Sequence, residues 1–384
     1  MHIAWLGKKS PFCGNVTYSR EVTNSLLERG YRVTFLHFSQ SSSEDVEEAH
    51  PDCSEVSLPF LFKSQILTIP SLKSGRMLVK ALETLKPDVV HASLTLSPLD
   101  FRLPEICSEL NIPLVATFHP PFDRRVRNLT SGTQHLTYQL YASCLSNYNR
   151  VIVFSNLQRE LLIKLGVPPA NVVVIPNGVD TRKYSPGPSS IKGELGTQWL
   201  FVYQGRLSIE KNVESLLKGW RQAQMGKHCR LAIVGDGPLA ASLKMFYGED
   251  DGVIWLGFVG DERHRIEILR GADVFILPSL VEGLSISLLE AMACGTACIA
   301  TDAGADGEVL ANGAGIVLDT QRVAAQLQTI LPIFRDHPEM THLLGRKARQ
   351  RVLELYTLGA NISCLEFLYQ QVVTERTKRY LSRA

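Results

Sequence analysis

The sequence lacks several features that would assign the chain to a common protein class. No apolar run approaches the ~20 residues that a membrane-spanning helix needs. The formal net charge is only +2, which argues against a general polyanion binder such as a nucleic-acid-binding protein. The eight cysteines form no Cys-x-x-Cys pair, and Cys294 and Cys298 lack the further Cys or His residues of a zinc site. Reduced thiols in a cytoplasmic protein fit this pattern best, and the first strand runs into Lys8-Lys9 rather than into a signal-peptide cleavage site.

The composition is that of a globular protein large enough for two cores. The chain has 384 residues, with a hydrophobic content of 45% and a charged content of 20%, and such a length allows two domains. Residues 3–7 read as a strand, a helix ends near Arg29, and residues 33–36 read as the next strand. This opening is Rossmann-like but contains no Gly-x-Gly-x-x-Gly, so a nicotinamide dinucleotide site has little support.

The most informative stretch covers residues 275–295. It opens with a short apolar run that predicts a buried parallel strand. Pro278 and Ser279 end this strand, and Gly283 permits a tight turn. Apolar residues three apart then predict a helix that starts near Ser285 and ends at Gly295. The stretch therefore predicts a strand, a tight turn and a helix.

Two acids flank this turn. Free backbone amides at the start of the helix, in residues 284–287, favour an anion such as a phosphate. Glu282 precedes them, and Glu290 lies about 7.5 Å along the helix axis from Ser285. Carboxylates at both ends could accept hydrogen bonds from the sugar and the ribose of a nucleotide sugar. A simpler alternative is that Glu282 only complements the helix dipole and Glu290 is solvated.

The combination of residues in this stretch resembles the donor-binding motif of the retaining GT-B glycosyltransferases of family 4. The residues that carry this resemblance are Pro278-Ser279, Glu282-Gly283, Glu290-Ala291-Met292-Ala293 and Gly295. The resemblance implies an α/β fold in which two Rossmann-like, doubly wound parallel-sheet domains face a central cleft. The implied division is an acceptor domain over residues 1–182, a linker over 183–196, a nucleotide-sugar donor domain over 197–355, and a C-terminal helix over 356–384 that returns to the first domain.

Two cations after the first strand of the second half suit a diphosphate. Arg206 offers a planar fork and Lys211 a point charge, and in the family the matching residues hold the donor diphosphate. The resemblance implies catalytic roles for His119, Arg206, Lys211 and Glu282. It implies donor contacts for Gly14, Arg206, Lys211, Phe258, Gly283, Leu284, Ser285 and Glu290. No Asp-x-Asp motif suggests a metal, so we expect neither a metal nor another cofactor.

The chain departs from the family pattern at two places. Family members usually have two adjacent glycines in the first loop, where this chain has Cys13-Gly14. They commonly have Phe-Gly where this chain has Leu284-Ser285. The second change places a hydroxyl near the donor sugar, so the sugar preference is not inherited from the wider family.

The acceptor side is predicted from a histidine and from basic segments. His119 ends the predicted strand over residues 114–118. It is either a structural histidine or, as in the family, a hydrogen-bond partner of the donor sugar, with a general-base role as an alternative. Arg124, Arg125 and Arg127 are predicted to form a basic loop. This loop either binds anionic lipid headgroups or is a solvated charged segment. Residues 58–69, followed by basic positions, fit either a membrane surface or a core strand and helix.

Three further segments of the sequence resemble those of the cyanobacterial family 4 enzymes that add galactose to monogalactosyldiacylglycerol. The matching segments are residues 5–11, 91–98 and 117–120. The resemblance implies transfer from UDP-galactose through an oxocarbenium-like state with retention, giving digalactosyldiacylglycerol. It implies a protein on the cytoplasmic face of a membrane that binds no nucleic acid. The alternatives are a transferase acting on a soluble sugar or polysaccharide, a sugar-binding protein without catalysis and a nicotinamide dehydrogenase. Donor base, sugar epimer, linkage and oligomeric state stay open.

Overall fold

The computed structural model describes residues 1–9, 14–39, 51–64, 67–94, 96–122 and 129–381, with the backbone alone for residues 129–134 and 379–381. The chain forms two compact units. The first comprises Met1–Pro120, Gly132–Pro176 and Asn361–Ala384, and the second comprises Pro121–Ser131 and Asn177–Ala360. Each unit is built on its own parallel sheet.

The sheet of the first unit has seven described strands. They are β1 (His2–Gly7), β2 (Arg32–Phe38), β3 (Ser54–Leu58), β6 (Val89–Ser93), β7 (Leu114–Thr117), β8 (Arg150–Val153) and β9 (Val172–Val174), with a separate antiparallel ribbon of β4 (Phe60–Lys63) and β5 (Thr68–Pro70). The order is β3-β2-β1-β6-β7-β8-β9, and all neighbours in it are parallel. The order reverses direction between β1 and β6, and ligands bind at such a switch point, beyond the carboxyl ends of the strands.

Helices connect these strands. They are α1 (Gly14–Glu28), α2 (Ser74–Leu85), α3 (Leu103–Glu109), α4 (Leu129–Leu145) and α5 (Asn156–Lys164). The central strands β1, β6 and β7 are buried along their whole length and mostly apolar, as expected for a parallel sheet covered on both faces. Among the described helices of the chain, none is long and apolar enough to cross a bilayer.

The last helix of the chain completes the first unit. This helix, α14 (Leu358–Leu381), belongs to the first unit from Asn361 onward. Its Tyr369 hydroxyl lies 2.5 Å from Nδ1 of the fully buried His91. Glu366 pairs with Arg29 at 2.6 Å, and Glu375 on the same helix also forms an ion pair with the unit. The core of the first unit therefore includes residues from both ends of the sequence.

The second unit repeats the architecture with six described strands. They are β10 (Trp199–Gln204), β11 (Cys229–Val234), β12 (Val253–Gly257), β13 (Val274–Leu277), β14 (Ala297–Thr301) and β15 (Ile316–Leu318). The helices are α6 (Ile191–Glu194), α7 (Val213–Ala223), α8 (Ala240–Phe246), α9 (Glu262–Gly271), α10 (Ile286–Ala293), α11 (Asp306–Val309), α12 (Val323–Asp336) and α13 (Pro338–Leu355). The parallel order is β12-β11-β10-β13-β14-β15, which confirms the predicted pair of Rossmann-like α/β sheets.

The topology of the second unit locates its ligand edge. The strand order reverses between β10 and β13, so the loops after these two strands flank the switch point. Gly235, after β11, has φ +133° and approaches β10 so closely that an added Cβ would lie 1.9 Å from the carbonyl oxygen of Gly205. Only glycine fits there. The loops after β10 and β13 carry Arg206, Lys211 and Glu282.

Two segments differ from their predicted structure. The predicted linker, residues 183–196, lies within the second unit and contains α6. Lys192 pairs with Asp273 at 2.7 Å, and Ser189 donates to the carbonyl oxygen of Glu267 at 2.8 Å. Bonds of Ser189 and Lys192 thus hold this segment against the second unit, although Pro186, Gly187 and Pro188 are exposed. In this part of the chain the first unit ends at Pro176. In the stretch 58–69, Leu58 ends β3 and is buried, whereas β4 and β5 form a ribbon that exposes Leu61, Phe62 and Ile69.

Candidate functional site

Glu282 lies at the centre of a polar cluster in the second unit. Its Oε1 accepts hydrogen bonds from Nζ of Lys211 at 2.5 Å and from the Ser279 hydroxyl at 2.7 Å. The loop after β10 reaches the loop after β13 because Leu280 N–H donates to the Glu210 carbonyl oxygen at 2.8 Å. The structure thus brings together two predicted site residues that are far apart in sequence.

The charge of Lys211 is set by two opposing effects. Burial alone lowers the pKa of its ammonium group, but the charge of the Glu282 carboxylate and the hydrogen bond to it more than offset this and raise the pKa. Lys211 therefore remains a cation at neutral pH. Arg206 is exposed after β10, and its guanidinium has no hydrogen bond to any residue that the structure describes. Both cations are thus charged groups available to a diphosphate.

The turn between β13 and α10 presents backbone amides. Ser285 is the N-cap of α10 and its hydroxyl accepts from Leu288 N–H at 3.4 Å. Ser285 N–H is itself occupied, since it donates to Oδ1 of Asp306 at 3.0 Å. Within the described chain, the amides of Leu284, Ile286 and Ser287 donate no hydrogen bond. These amides form a smaller anion-binding set than the sequence predicts.

Residues that the sequence motif does not include hold this turn in place. Asn177 Nδ2 donates to the Leu284 carbonyl oxygen at 3.1 Å, and Ala305 N–H donates to the Gly283 carbonyl oxygen at 2.8 Å. Gly304 has φ +56°, and an added Cβ would lie 2.1 Å from the carbonyl oxygen of Glu282. Segments before and after the motif therefore fix the position of Glu282.

Glu290 lies on α10 and is buried. Gln204, the last residue of β10, donates from Nε2 to Oε2 of Glu290 at 2.9 Å. Burial raises the pKa of Glu290 to about 7, although Arg265 and a hydrogen bond from Tyr184 oppose this shift. The alternative in which Glu290 is a solvated surface acid is wrong because the side chain packs between α10 and the end of β10.

Phe258 follows β12 at the same edge of the second unit. Its side chain is 64% exposed. The backbone beside it is held by Arg265, whose Nη1 atom bonds to the carbonyl oxygens of Val259 and Gly260 at 3.0 and 2.8 Å. An exposed aromatic ring on a fixed loop suits stacking against a flat base.

In the first unit, His119 joins a polar chain rather than standing alone. Its Nε2 lies 2.8 Å from the Ser93 hydroxyl, which donates to Oδ1 of Asn15 at 2.7 Å. Because Ser93 donates to Asn15, Nε2 of His119 carries the proton and Nδ1 is left as an acceptor. Burial, and secondarily the Lys8 ammonium, lowers the pKa of His119 to about 3. His119 is therefore neutral at physiological pH and can form hydrogen bonds without adding charge.

The remaining predicted residues have different outcomes. Gly14 begins the described part of α1 and faces open space, since an added Cβ would meet no atom within 4 Å. Cys13, Arg124, Arg125 and Arg127 lie outside the described residues. The roles assigned to the candidate residues stay predictions, because geometry alone does not test them.

Sequence reasoning missed several residues of these clusters. Ser93 and Gln204 are polar residues that end β6 and β10, beside the two switch points. The rule that ligands gather at carboxyl ends of strands could have identified them. Asp306 and Asn177 gave no such signal because their contacts depend on how loops distant in sequence fold onto the turn.

Comparisons with known proteins agree with this fold. Residues 13–183 match the family described as glycosyltransferase family 4, and residues 189–351 match that described as glycosyl transferases group 1. The chain is 30% identical to an alpha-maltose-1-phosphate synthase of Mycobacterium tuberculosis over 296 residues, 70% of this chain and 75% of the relative. It is 25% identical to a UDP-Gal:alpha-D-GlcNAc-diphosphoundecaprenol alpha-1,3-galactosyltransferase of Escherichia coli over 328 residues, 81% of this chain and 82% of the relative.

A solved structure shows the same fold. Sucrose-phosphate synthase from Thermosynechococcus elongatus superposes with a TM-score of 0.78 at 20% identity, covering 97% of this chain and 99% of that protein. The family matches set aside the nicotinamide dehydrogenase and the sugar-binding protein without catalysis. The chain therefore belongs to the family 4 glycosyltransferases, with the GT-B fold.

Proposed function

We propose that the protein transfers galactose from UDP-galactose to a membrane glycolipid with retention of anomeric configuration. Monogalactosyldiacylglycerol is the proposed acceptor and digalactosyldiacylglycerol the product. The observation that carries the proposal is the buried pair of Lys211 and Glu282 beside the amides that start α10. This arrangement offers a cation and amides to a diphosphate and a carboxylate to the sugar attached to it.

The proposed chemistry relies on charge at the leaving group. As the bond between the sugar and the diphosphate breaks, negative charge grows on the phosphate oxygens. Arg206, Lys211 and the free amides of the turn stabilise this charge without reorganising. The departing phosphate then takes the proton of the acceptor hydroxyl on the same face of the sugar, which retains the configuration. We propose that no metal takes part.

The acceptor class is supported by a relative. The Escherichia coli relative carries a name that states both a UDP-galactose donor and a lipid-linked acceptor. The Mycobacterium tuberculosis relative is named for synthesis of a sugar phosphate, which favours the second candidate, transfer to a soluble sugar. The two candidates differ in whether the reaction needs lipid.

We expect the pure protein to form labelled digalactosyldiacylglycerol from labelled UDP-galactose and monogalactosyldiacylglycerol vesicles. The rate with EDTA should stay within about twofold of the rate with Mg²⁺, because Arg206 and Lys211 supply the positive charge. Thin-layer chromatography of the lipid extract measures the product. Labelled product from a soluble sugar, with none from lipid, would instead establish the second candidate.

A surface on the first unit supports membrane contact. We define the ribbon surface as the exposed apolar residues on or next to β4 and β5, with Met77 from the following helix α2: Leu61, Phe62, Leu67, Ile69, Leu72 and Met77. Phe62 and Ile69 are cross-strand partners, and Leu72 is 98% exposed. Lys73, Arg76 and Lys80 are exposed beside them. Apolar side chains bordered by cations fit an anionic lipid surface.

The ribbon surface also lies at the ligand edge of the first unit. Lys8, directly after β1, donates from Nζ to the carbonyl oxygen of Ser64 at the tip of the ribbon, at 3.1 Å. His119 and Ser93 follow β7 and β6 at the same carboxyl edge of the sheet. A bilayer bound to the ribbon would therefore lie beside this edge.

Phe62→Ser with Leu72→Ser should lower binding to phosphatidylglycerol vesicles at least about tenfold, since each buried side chain contributes about 1.5–3 kcal/mol. Vesicle co-sedimentation measures the change. Phe367→Ser with Leu353→Ser is the matched control, because it removes exposed apolar residues elsewhere. Equal loss in both variants, or equal binding to phosphatidylcholine vesicles, would contradict a specific anionic docking surface.

A further inference from the structure

Asp306 lies at the first position of α11 and is 1% exposed. Its Oδ1 accepts from Ser285 N–H at 3.0 Å. Its Oδ2 is buried and has no hydrogen-bond partner among the residues that the structure describes. The carboxyl group thus uses only one oxygen, and that oxygen contacts the turn that presents amides to the proposed diphosphate.

The surroundings of Asp306 disfavour a second negative charge. Glu282 on the turn and Lys211 on the loop after β10 are the charged groups that face it from neighbouring elements. Lys211 is paired with Glu282 at 2.5 Å, and no residue that the structure describes forms an ion pair with Asp306. Burial, followed by the Glu282 carboxylate, raises the pKa of Asp306 well above its usual range. An ionised carboxylate with an unpartnered buried oxygen would also be costly.

We propose that Asp306 acts as an uncharged acid that positions the donor turn by occupying the Ser285 amide. Its carbonyl-type oxygen accepts the Ser285 N–H, while the protonated oxygen adds no charge beside Glu282. One amide is thereby withheld from the diphosphate, and the amides of Leu284, Ile286 and Ser287 are left to bind it. Asp306 is a positioning residue because it acts through Ser285 and Glu282.

The neighbouring contacts make this role specific to one position. Ala305 N–H, one residue earlier, bonds to the Gly283 carbonyl oxygen at 2.8 Å. The segment from Gly304 to Asp306 therefore runs alongside the turn, and it is Asp306 whose side chain reaches the backbone N–H of Ser285, the N-cap residue of α10. A side chain without an acceptor at position 306 would leave the Ser285 N–H buried and unpaired, which is unfavourable. This inference rests on the proposed donor role of the turn.

Asp306→Asn tests the protonation state because asparagine keeps the acceptor oxygen and cannot ionise. If Asp306 is neutral, we expect the Kd for UDP at neutral pH to stay within about twofold of the wild-type value. If Asp306 is ionised, the variant removes a negative charge beside the diphosphate and should bind UDP about tenfold tighter or more. That second result would overturn the proposal.

The melting temperature of the ligand-free protein reports the protonation state of Asp306 without depending on donor binding. A neutral Asp306 keeps its proton in the folded state while the unfolded chain ionises it, so the melting temperature of wild type should fall relative to that of Asp306→Asn as pH rises from about 5 to about 7. A constant difference between the two melting temperatures across this range would mean that Asp306 is ionised in the folded state as it is in the unfolded chain, and would overturn the proposal. Asp250→Asn, at an exposed aspartate, is the control for general charge effects.

Asp306→Ala tests the positioning role. We expect the donor KM to rise about tenfold, with a smaller change in kcat, while Asp306→Asn restores the wild-type KM. Unchanged KM, or tighter UDP binding through the freed Ser285 amide, would overturn this role. If wild type binds no UDP but the melting curves follow the expected pattern, the UDP donor is refuted and the neutral state of Asp306 is supported.

Discussion

Replacing Glu282 by glutamine is expected to lower kcat about 10²- to 10³-fold, the range found when one preorganised group that stabilises a transition state is removed. Oε1 of Glu282 holds Lys211 and Ser279. Glutamine removes the charge that keeps Lys211 in place and the carboxylate proposed to bind the sugar. The measurement is single-turnover transfer of labelled galactose at saturating donor.

The control for this experiment is Glu214→Gln, which removes an exposed carboxylate paired with Lys218 on α7. We expect its kcat to stay near the wild-type value. Circular dichroism of Glu282→Gln should show a folded protein, so that a loss of activity reports the site. A kcat within about tenfold of wild type would show that Glu282 is not part of the reacting site.

Replacing Glu290 by glutamine is expected to make stability less dependent on pH. The pKa of Glu290 is raised by burial from 4.5 to about 7 in the folded state. The stability associated with this group is therefore fully present below its unfolded pKa and is lost as pH rises through about 7. A shift of this size corresponds to about 3 kcal/mol. Glutamine does not ionise, so the variant avoids this loss.

Thermal unfolding at several pH values tests this prediction. Relative to Glu290→Gln, wild type should lose about 5–10 °C in Tm between about pH 5 and about pH 8. Glu267→Gln is a control of opposite sign, because hydrogen bonds from Ser190 lower the pKa of Glu267. There, wild type should lose its advantage as pH falls. Parallel curves for wild type and Glu290→Gln would mean that Glu290 is ionised throughout.

Much of the fold follows from local sequence patterns. The short apolar runs at residues 275–277 and 172–174 are strands, and the three-residue apolar spacing after Ser285 is a helix. These patterns depend only on which residues suit a strand buried on both faces or a helix packed on one side. The family resemblance assigned Lys211 and Glu282 to one donor site, and the structure brings the two side chains into contact at 2.5 Å.

Other features could not be predicted because they depend on contacts between distant segments. Asp306 is an ordinary acid in the sequence, and only the fold shows that it is buried against Ser285. The composition of residues 183–196 predicts a linker, and only the fold shows that Lys192 in this segment pairs with the distant Asp273. The exposure of Phe62 and Leu72 could not be predicted either, because an apolar segment does not show whether another element of the fold covers it.

The path of the chain through the first unit has a consequence for its synthesis. The buried Tyr369, which contacts His91, leaves the ribosome only after the whole of the second unit has been made. Domains commonly fold in order from the amino terminus as they emerge. Here the earliest residues must wait, with part of their apolar surface uncovered, until the last helix arrives. Nascent chains halted before Tyr369 should therefore depend on chaperones, although the second unit can already have folded.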